Sequence, residues 1–273
     1  MTFEEVVHII PLGHEIDRAV APFKKHKADR AHVLAIQSKG RYDREMFERQ
    51  QYFTGKVEAA LRDRRLEVRT WDVDLFDMQE VMRHVARLIR EEEGNRVHVN
   101  MSACGRLTSI GATLAGMAHG AAVYYVEADA YSASEDETLE HGLSVCTSGE
   151  VKFLDNFKLQ LPDETAMKLL AELAAGEMDT DALLGFMVAK RVGIFADAAI
   201  LERRSRHEDQ RYLTSLNKTY LDKLVLAGYV TKEMRGNRRV VRVTDAGRAM
   251  AAISGLAPAH NKNRQPIEVP RST

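Results

Sequence analysis

"RVHVNMSACGRLTSIGATLAGMAHGAAVYYVEAD", residues 96–129, is the stretch that decides the fold. A Val-rich run halts at a loop of small and polar residues. A helical pattern starts at once, and a second β-branched and aromatic run follows. The loop gathers Asn100, Met101, Ser102, Ala103, Cys104, Gly105, Arg106 and Thr108 into one turn between strand and helix. Either this is a tight connection, with Ser102 capping the helix and Arg106 lying along the surface, or it holds a ligand.

The same alternation extends outward. Residues 6–13, 31–38, 66–74 and 121–129 are rich in Val, Ile and aromatic residues and read as strands. Between them, Phe53, Val57, Ala60 and Leu61 keep helical spacing, as do Met78, Val81, Val85, Leu88 and Ile89. Leu107, Ile110, Gly111, Leu114, Ala115 and Ala118 read as the buried stripe of the helix after the loop. Strands alternating with helices predict an α/β fold with a parallel, Rossmann-like sheet over residues 1–160.

Ligands of such sheets sit beyond the carboxyl ends of the strands. Two loops lie there: "PLGHEIDRA" (11–19) after the first strand and "NMSACGRLT" (100–108) after the fourth. The first has one glycine where a dinucleotide fingerprint needs three, and no P-loop is present. In the second, the small residues admit a ligand close to the backbone. The N–H groups of the helix start favour an anion, and Arg106 adds a fork suited to phosphate. Asn100 and Ser102 have the groups to bind a base edge or a ribose.

A different pattern begins near Pro162. Asp163 or Thr165 can cap a helix burying Ala166, Leu169, Leu170 and Leu173, closed by Gly176; a second helix covers 181–190. In 212–253, Leu213, Leu216, Tyr220, Leu221, Leu224 and Val225 form a stripe, with Gly228 as its C-cap. The opposite face carries Thr214, Ser215, Lys218, Thr219 and Lys223. Two β-like runs follow, joined at Arg235-Gly236-Asn237, and Thr244 then caps a helix with Ala246, Ala249, Met250 and Ile253. Helix, basic hairpin, helix predicts a winged helix-turn-helix over 161–254, with double-stranded DNA as partner. Its helix enters the major groove with Lys218 and Thr219 near its start, while Arg235, Asn237, Arg238 and Arg239 line the wing along the phosphates.

Charge agrees with this division. Residues 1–160 hold 21 Lys and Arg against 26 Asp and Glu, a net −5, whereas 161–273 hold 18 against 14, a net +4. Residues 203–248 alone, which include Arg203, Arg204 and Arg206, carry 12 basic and 5 acidic residues. One half is suited to an anionic polymer and the other is not. The 2 cysteines form no CxxC and the 10 histidines no HExxH, so neither a metal nor a cofactor is expected. The start is too acidic for a signal peptide and no apolar window reaches the length of a membrane span, which predicts a cytoplasmic protein with no membrane partner. The Pro-rich, apolar-poor tail 255–273 is expected to lack fixed structure.

"VHIIPLGHEIDR", "HVNMSACGRLTSIGATLA" and the C-terminal order of elements resemble the CARF-domain (CRISPR-associated Rossmann fold) winged-helix transcriptional regulators of archaea. The family's fourth-strand loop reads N/D-x-[ST]-G-G-T-K and binds cyclic oligoadenylate across a dimer. Asn100 and Ser102 match it and Arg106 takes the place of its basic residue, while Ala103, Cys104 and Gly105 depart from Gly-Gly-Thr. Gly13, His14, Glu15, Asp17 and Arg18 occupy the family's other ligand-side loop. The resemblance implies a homodimeric, ligand-responsive regulator with a role in CRISPR-related antiviral defence. The alternatives are a ring nuclease, in which His14, Ser102 and Arg106 orient cleavage of the bound cyclic oligoadenylate, and a sensor that binds no DNA. No catalytic triad or carboxylate pair demands an enzyme.

Overall fold

The computed structural model describes residues 4–38, 42–157, 159–196 and 206–257, with side chains from 210 in the last segment. Arg203, Arg204, the side chain of Arg206 and the tail from 258 onward lie outside the described residues.

The N-terminal half is built on β1 (Val6–Pro11), β2 (Arg30–Ala35), β3 (Glu67–Asp72), β4 (Arg96–Asn100) and β5 (Ala122–Val126). They pair in parallel in the order β3-β2-β1-β4-β5, with Val7 opposite Arg30 on one side and Val97 on the other. Strand β1 is buried on both faces, as a parallel strand covered by helices must be. The order reverses between β1 and β4, so the loops after these two strands flank the switch point. The sheet is Rossmann-like, as the alternation predicts.

Helices α1 (Asp17–Val20), α2 (Arg44–Asp63), α3 (Met78–Glu91) and α4 (Arg106–Ala118) connect these strands. Asp43 caps α2 by accepting from the Met46 N–H at 2.8 Å, and Asp77 caps α3 by accepting from Gln79 and Glu80. The stripe expected for α4 holds in part. Gly111 and Ala115 are buried and Leu114 and Ala118 pack against the core, but Leu107 and Ile110 are 56% and 50% exposed, and Thr108, Ala112, Gly116 and Met117 are buried as well. Small residues are what permit this. A Cβ on Gly111 would lie 3.0 Å from the Met78 carbonyl oxygen, and one on Gly116 2.7 Å from Val123 Cγ2, so α4 sits on α3 and the sheet at nearly backbone distance while Leu107 and Ile110 turn outward.

After β5 come elements that sequence periodicity did not reveal: β6 (Ala130–Tyr131), α5 (Glu135–His141) and β7 (Ser144–Val145), a strap whose two short strands pair with each other. Strand β8 (Val151–Phe153) then adds antiparallel to β5 and completes a six-stranded sheet.

The C-terminal half is a winged helix: α6 (Glu164–Ala175), β9 (Met178–Asp179), α7 (Thr180–Ala189), α8, β10 (Val230–Arg235), β11 (Arg238–Val243) and α9 (Asp245–Ile253). Helix α8 runs 206–226 and contains a π-turn at Leu216–Leu221. Asp163 caps α6, Thr244 caps α9, and Gly228 ends α8 at φ +75°, all as expected. One detail differs: Val225 is 40% exposed rather than core. Helix α9 buries Gly247, Ala251, Ala252 and Ile253, and Ala249 and Met250 pack against the core beside them. Helix α9 is held from both sides, with Gly247 against the Tyr229 carbonyl and its far end against α3 and α6. One apolar cluster therefore runs from Ile9 and Val85 through Leu169 to Ala252 without a break.

Two glycines should respond oppositely to alanine. Gly116→Ala forces a methyl into Val123 and Val99 and should cost about 1–3 kcal/mol. Gly55→Ala, in the interior of α2 with nothing within 4 Å, should gain about 0.5–1 kcal/mol. Urea unfolding of both variants measures the contrast.

Candidate functional site

The loops after β1 and β4 meet. The Gly13 N–H donates to the Ala103 carbonyl at 2.8 Å, and a Cβ on Gly13 would lie 3.6 Å from Cys104 Cα and 3.9 Å from the Gly105 nitrogen. Beyond this contact, α4 begins at Gly105 with no side-chain cap, unlike α2 and α3. Ser102 is not its cap. The first-turn N–H groups, at the positive end of the dipole, thus receive no capping side chain, and Arg106 is exposed beside them.

The site residues fall into two groups. Asn100 is completely buried: its Nδ2 donates to the Arg18 carbonyl at 2.8 Å, and its Oδ1 accepts from the Ser102 N–H at 2.9 Å and hydroxyl at 2.7 Å. The Ser102 hydroxyl in turn accepts from the Val126 N–H at 3.0 Å. These two side chains are committed to holding the loop, so neither is placed to read a base or a ribose. Arg18 is likewise internal, donating to the Ser102 carbonyl and the Tyr125 hydroxyl. Thr108 is buried and donates to the Leu75 carbonyl, and Ala103 is fully buried. Met101 is half-buried, its carbonyl facing the Cys104 thiol and its sulfur the Thr113 hydroxyl. Burial, then Glu15, pushes the Cys104 thiol up to about 12, so it is no nucleophile at neutral pH. Gly13, His14, Gly105 and Arg106 remain as the accessible lining.

The strap closes over the first loop. The Leu143 N–H donates to the His14 carbonyl, the Ile16 N–H to the His141 carbonyl, and Gly142 faces Glu15. Gly142 has φ +91°, and a Cβ there would meet the Ile16 nitrogen at 2.5 Å, so the approach requires glycine. Asp17 accepts from the Cys146 N–H at 2.8 Å and pairs with His141 Nδ1 at 3.1 Å. The Glu15 carboxylate accepts from both the Ser144 N–H and hydroxyl. Burial outweighs those bonds and raises Glu15 to about 7. A cavity of about 540 Å³ lies elsewhere, at the amino ends of β4 and β5, with Arg90, Arg96, His98 and His119 in its lining.

In the winged helix, Thr214, Lys218, Thr219 and Lys223 are exposed and Ser215 is half-buried on one side of α8. Lys218 and Thr219 sit inside the π-turn, midway along the helix rather than near its start. The wing is less free than its composition implies. Arg235 pairs with Glu177 at 2.6 Å and Arg238 with Asp179 at 3.3 Å, while Arg242 reaches Glu177 and Glu233. Asn237 and Arg239 are exposed at the hairpin. No group of three or more His, Cys, Asp and Glu among the described residues is placed to hold a metal, and no helix among them is long and apolar enough to cross a membrane.

Glu15 gives the stability a pH dependence. With its folded pKa near 7 against an unfolded value of 4.5, the native state binds the proton more tightly, so stability falls as pH rises between those values. Glu15→Gln should remove that slope, a relative gain on the order of 3 kcal/mol by pH 8. Urea unfolding of both proteins from pH 4 to 8 measures it.

A family model described as HFX_2341_N:-like, N-terminal, matches residues 6–131, and the DUF6293 C-terminal winged helix domain matches residues 163–255. No curated protein sequence matches the chain. Among solved structures, protein VC1899 from Vibrio cholerae is 13% identical over 92% of this chain and 65% of its own, with a TM-score of 0.40. Can2 from Sulfobacillus thermosulfidooxidans, in complex with cyclic tetra-adenylate, is 14% identical over 91% and 61%, with a TM-score of 0.37. Enterococcus italicus Csm6, bound to cyclic hexa-2'-fluoro-hexa-dAMP, is 9% identical over 83% and 57%, also at 0.37. The chain thus spans less than two thirds of the length of each of these proteins. It joins a Rossmann-like sheet to a winged helix similar to the DUF6293 domain.

Proposed function

We propose that the protein is a ligand-responsive DNA-binding regulator. Residues 1–160 sense a cyclic oligoadenylate and dimerise, and residues 161–254 bind operator DNA. The observation that carries this reading is the uncapped start of α4, at the switch point and beside Arg106, in a chain that ends in a winged helix. An open helix start with an adjacent guanidinium suits a phosphodiester. The loop's likeness to the CARF pattern supports adenylate as the nucleotide.

Homodimerisation is supported by Phe76, Leu107 and Ile110, which are 60%, 56% and 50% exposed around the same helix start, where Thr108 ties α4 to the Leu75 carbonyl. Two winged helices related by a twofold would read a longer, palindromic site. Ring cleavage by His14, Ser102 and Arg106 is less well supported, because the Ser102 hydroxyl is engaged with Asn100 and Val126.

Arg106→Ala should weaken binding of cyclic tetra-adenylate by about ten- to hundredfold, the worth of a charge-assisted hydrogen bond. Calorimetry tests this, and unchanged affinity would make the loop a structural turn. On DNA, Arg239→Ala should weaken binding to all sequences alike and flatten the salt dependence by about one unit of log K per log salt. Arg238→Ala should do somewhat less, since Arg238 gives up its contact with Asp179 to reach a phosphate. Lys218→Ala should cost about 1–3 kcal/mol on the cognate duplex and little on a scrambled one. Isotherms for the three variants on both duplexes, across a salt series, separate positioning from reading.

A further inference from the structure

The first loop presents a side chain that nothing in the fold requires. The His14 imidazole lies nearly parallel to Phe53, with ring centroids 5.0 Å apart and planes at 23°. Phe53 is completely buried, so one face of His14 rests on a fixed support, and His14 itself is only partly buried. Neither ring nitrogen has a hydrogen-bond partner among the described residues. Burial first, then the nearby Arg49, lowers the affinity of His14 for a proton and favours the neutral ring. Arg49 stands over Phe53 at 5.8 Å and forks onto Glu135 of the strap, its Nη1 2.8 Å and Nη2 3.2 Å from the carboxylate oxygens. Arg49 is one-third exposed and Glu135 mostly exposed, which makes this a weak pair that an anion can exchange.

We propose that His14, backed by Phe53 and flanked by Arg49, is the stacking platform of the ligand site: a purine lies on the outward face of the imidazole, and the adjoining phosphodiester takes Arg49 from Glu135. The inference rests on the nucleotide-sensing reading above and assigns the base and phosphate to particular side chains. The geometry is consistent with one ligand touching both loops, since Gly13, next in the chain, contacts the start of α4. A flat neutral ring accepts a purine by its π-face without a hydrogen-bond code, and a fork already holding a carboxylate can hold a phosphate in its place.

The test combines calorimetry with proton spectra of the His14 ring in the full chain, with cyclic tetra-adenylate as probe. Stacking should move the His14 ring protons upfield. His14→Ala should lose about tenfold in affinity, and His14→Phe should retain it. Arg49→Ala should bind more weakly with a flatter salt dependence, whereas Glu135→Gln, which releases Arg49, should bind more tightly. Binding with unmoved ring protons and an unaffected His14→Ala variant overturns the platform while leaving the nucleotide-sensing reading standing. If the probe does not bind the wild-type protein at all, that reading falls, and the platform falls with it. His14→Phe binding as poorly as His14→Ala overturns stacking in favour of a polar contact from the imidazole.

Discussion

Asn100 ends β4 with its side chain wholly buried, and its amide holds together three parts of the chain that would otherwise separate. It donates to Arg18 in the first loop and accepts twice from Ser102 in the second, and Ser102 in turn receives the N–H of Val126 at the end of β5. Buried, satisfied polar networks of this kind fix one geometry, because every member left unpaired would carry a desolvation cost. The open start of α4 is a consequence. The serine that could have capped the helix is occupied a turn earlier, and the position falls to Gly105, which has no side chain to offer.

The same helix links the two halves. At one end α4 faces the loops; at the other, His119 Nε2 donates to the Ile253 carbonyl of α9 at 2.7 Å. Gly255 lies where a Cβ would stand 2.8 Å from the backbone nitrogen of Arg87 on α3. The seam is therefore close-packed, with backbone against backbone and a continuous apolar core across it. Packed elements tend to shift as units rather than deform smoothly, and α4 touches the loops at one end and the winged helix at the other.

Charge in the winged helix is more local than composition implies. Glu177 and Asp179, flanking and ending the short strand β9, draw in Arg235, Arg242 and Arg238. These exposed pairs contribute little to stability but occupy the guanidiniums of Arg235, Arg238 and Arg242, whereas Arg239 is exposed with no such pairing among the described residues.

Much of this was legible in the sequence, and the reason is range. Strand runs, helical stripes, the caps Asp163 and Thr244, and the stop at Gly228 are signals carried within a few residues, and each formed the element it announced. The order of those elements then implied a parallel sheet followed by a winged helix. What depended on distant partners was not legible. Whether Asn100 faces a ligand or Arg18 is settled across 82 residues, whether Glu15 is bare or bonded to Ser144 across 129, and whether Arg242 is free or paired with Glu177 across 65. The strap escaped notice because strands of two residues carry no period. The outward turn of Leu107 and Ile110 was decided by how closely glycine and alanine let α4 approach its neighbours. Local chemistry chose the elements; long-range packing and pairing chose which side chains remained free to act.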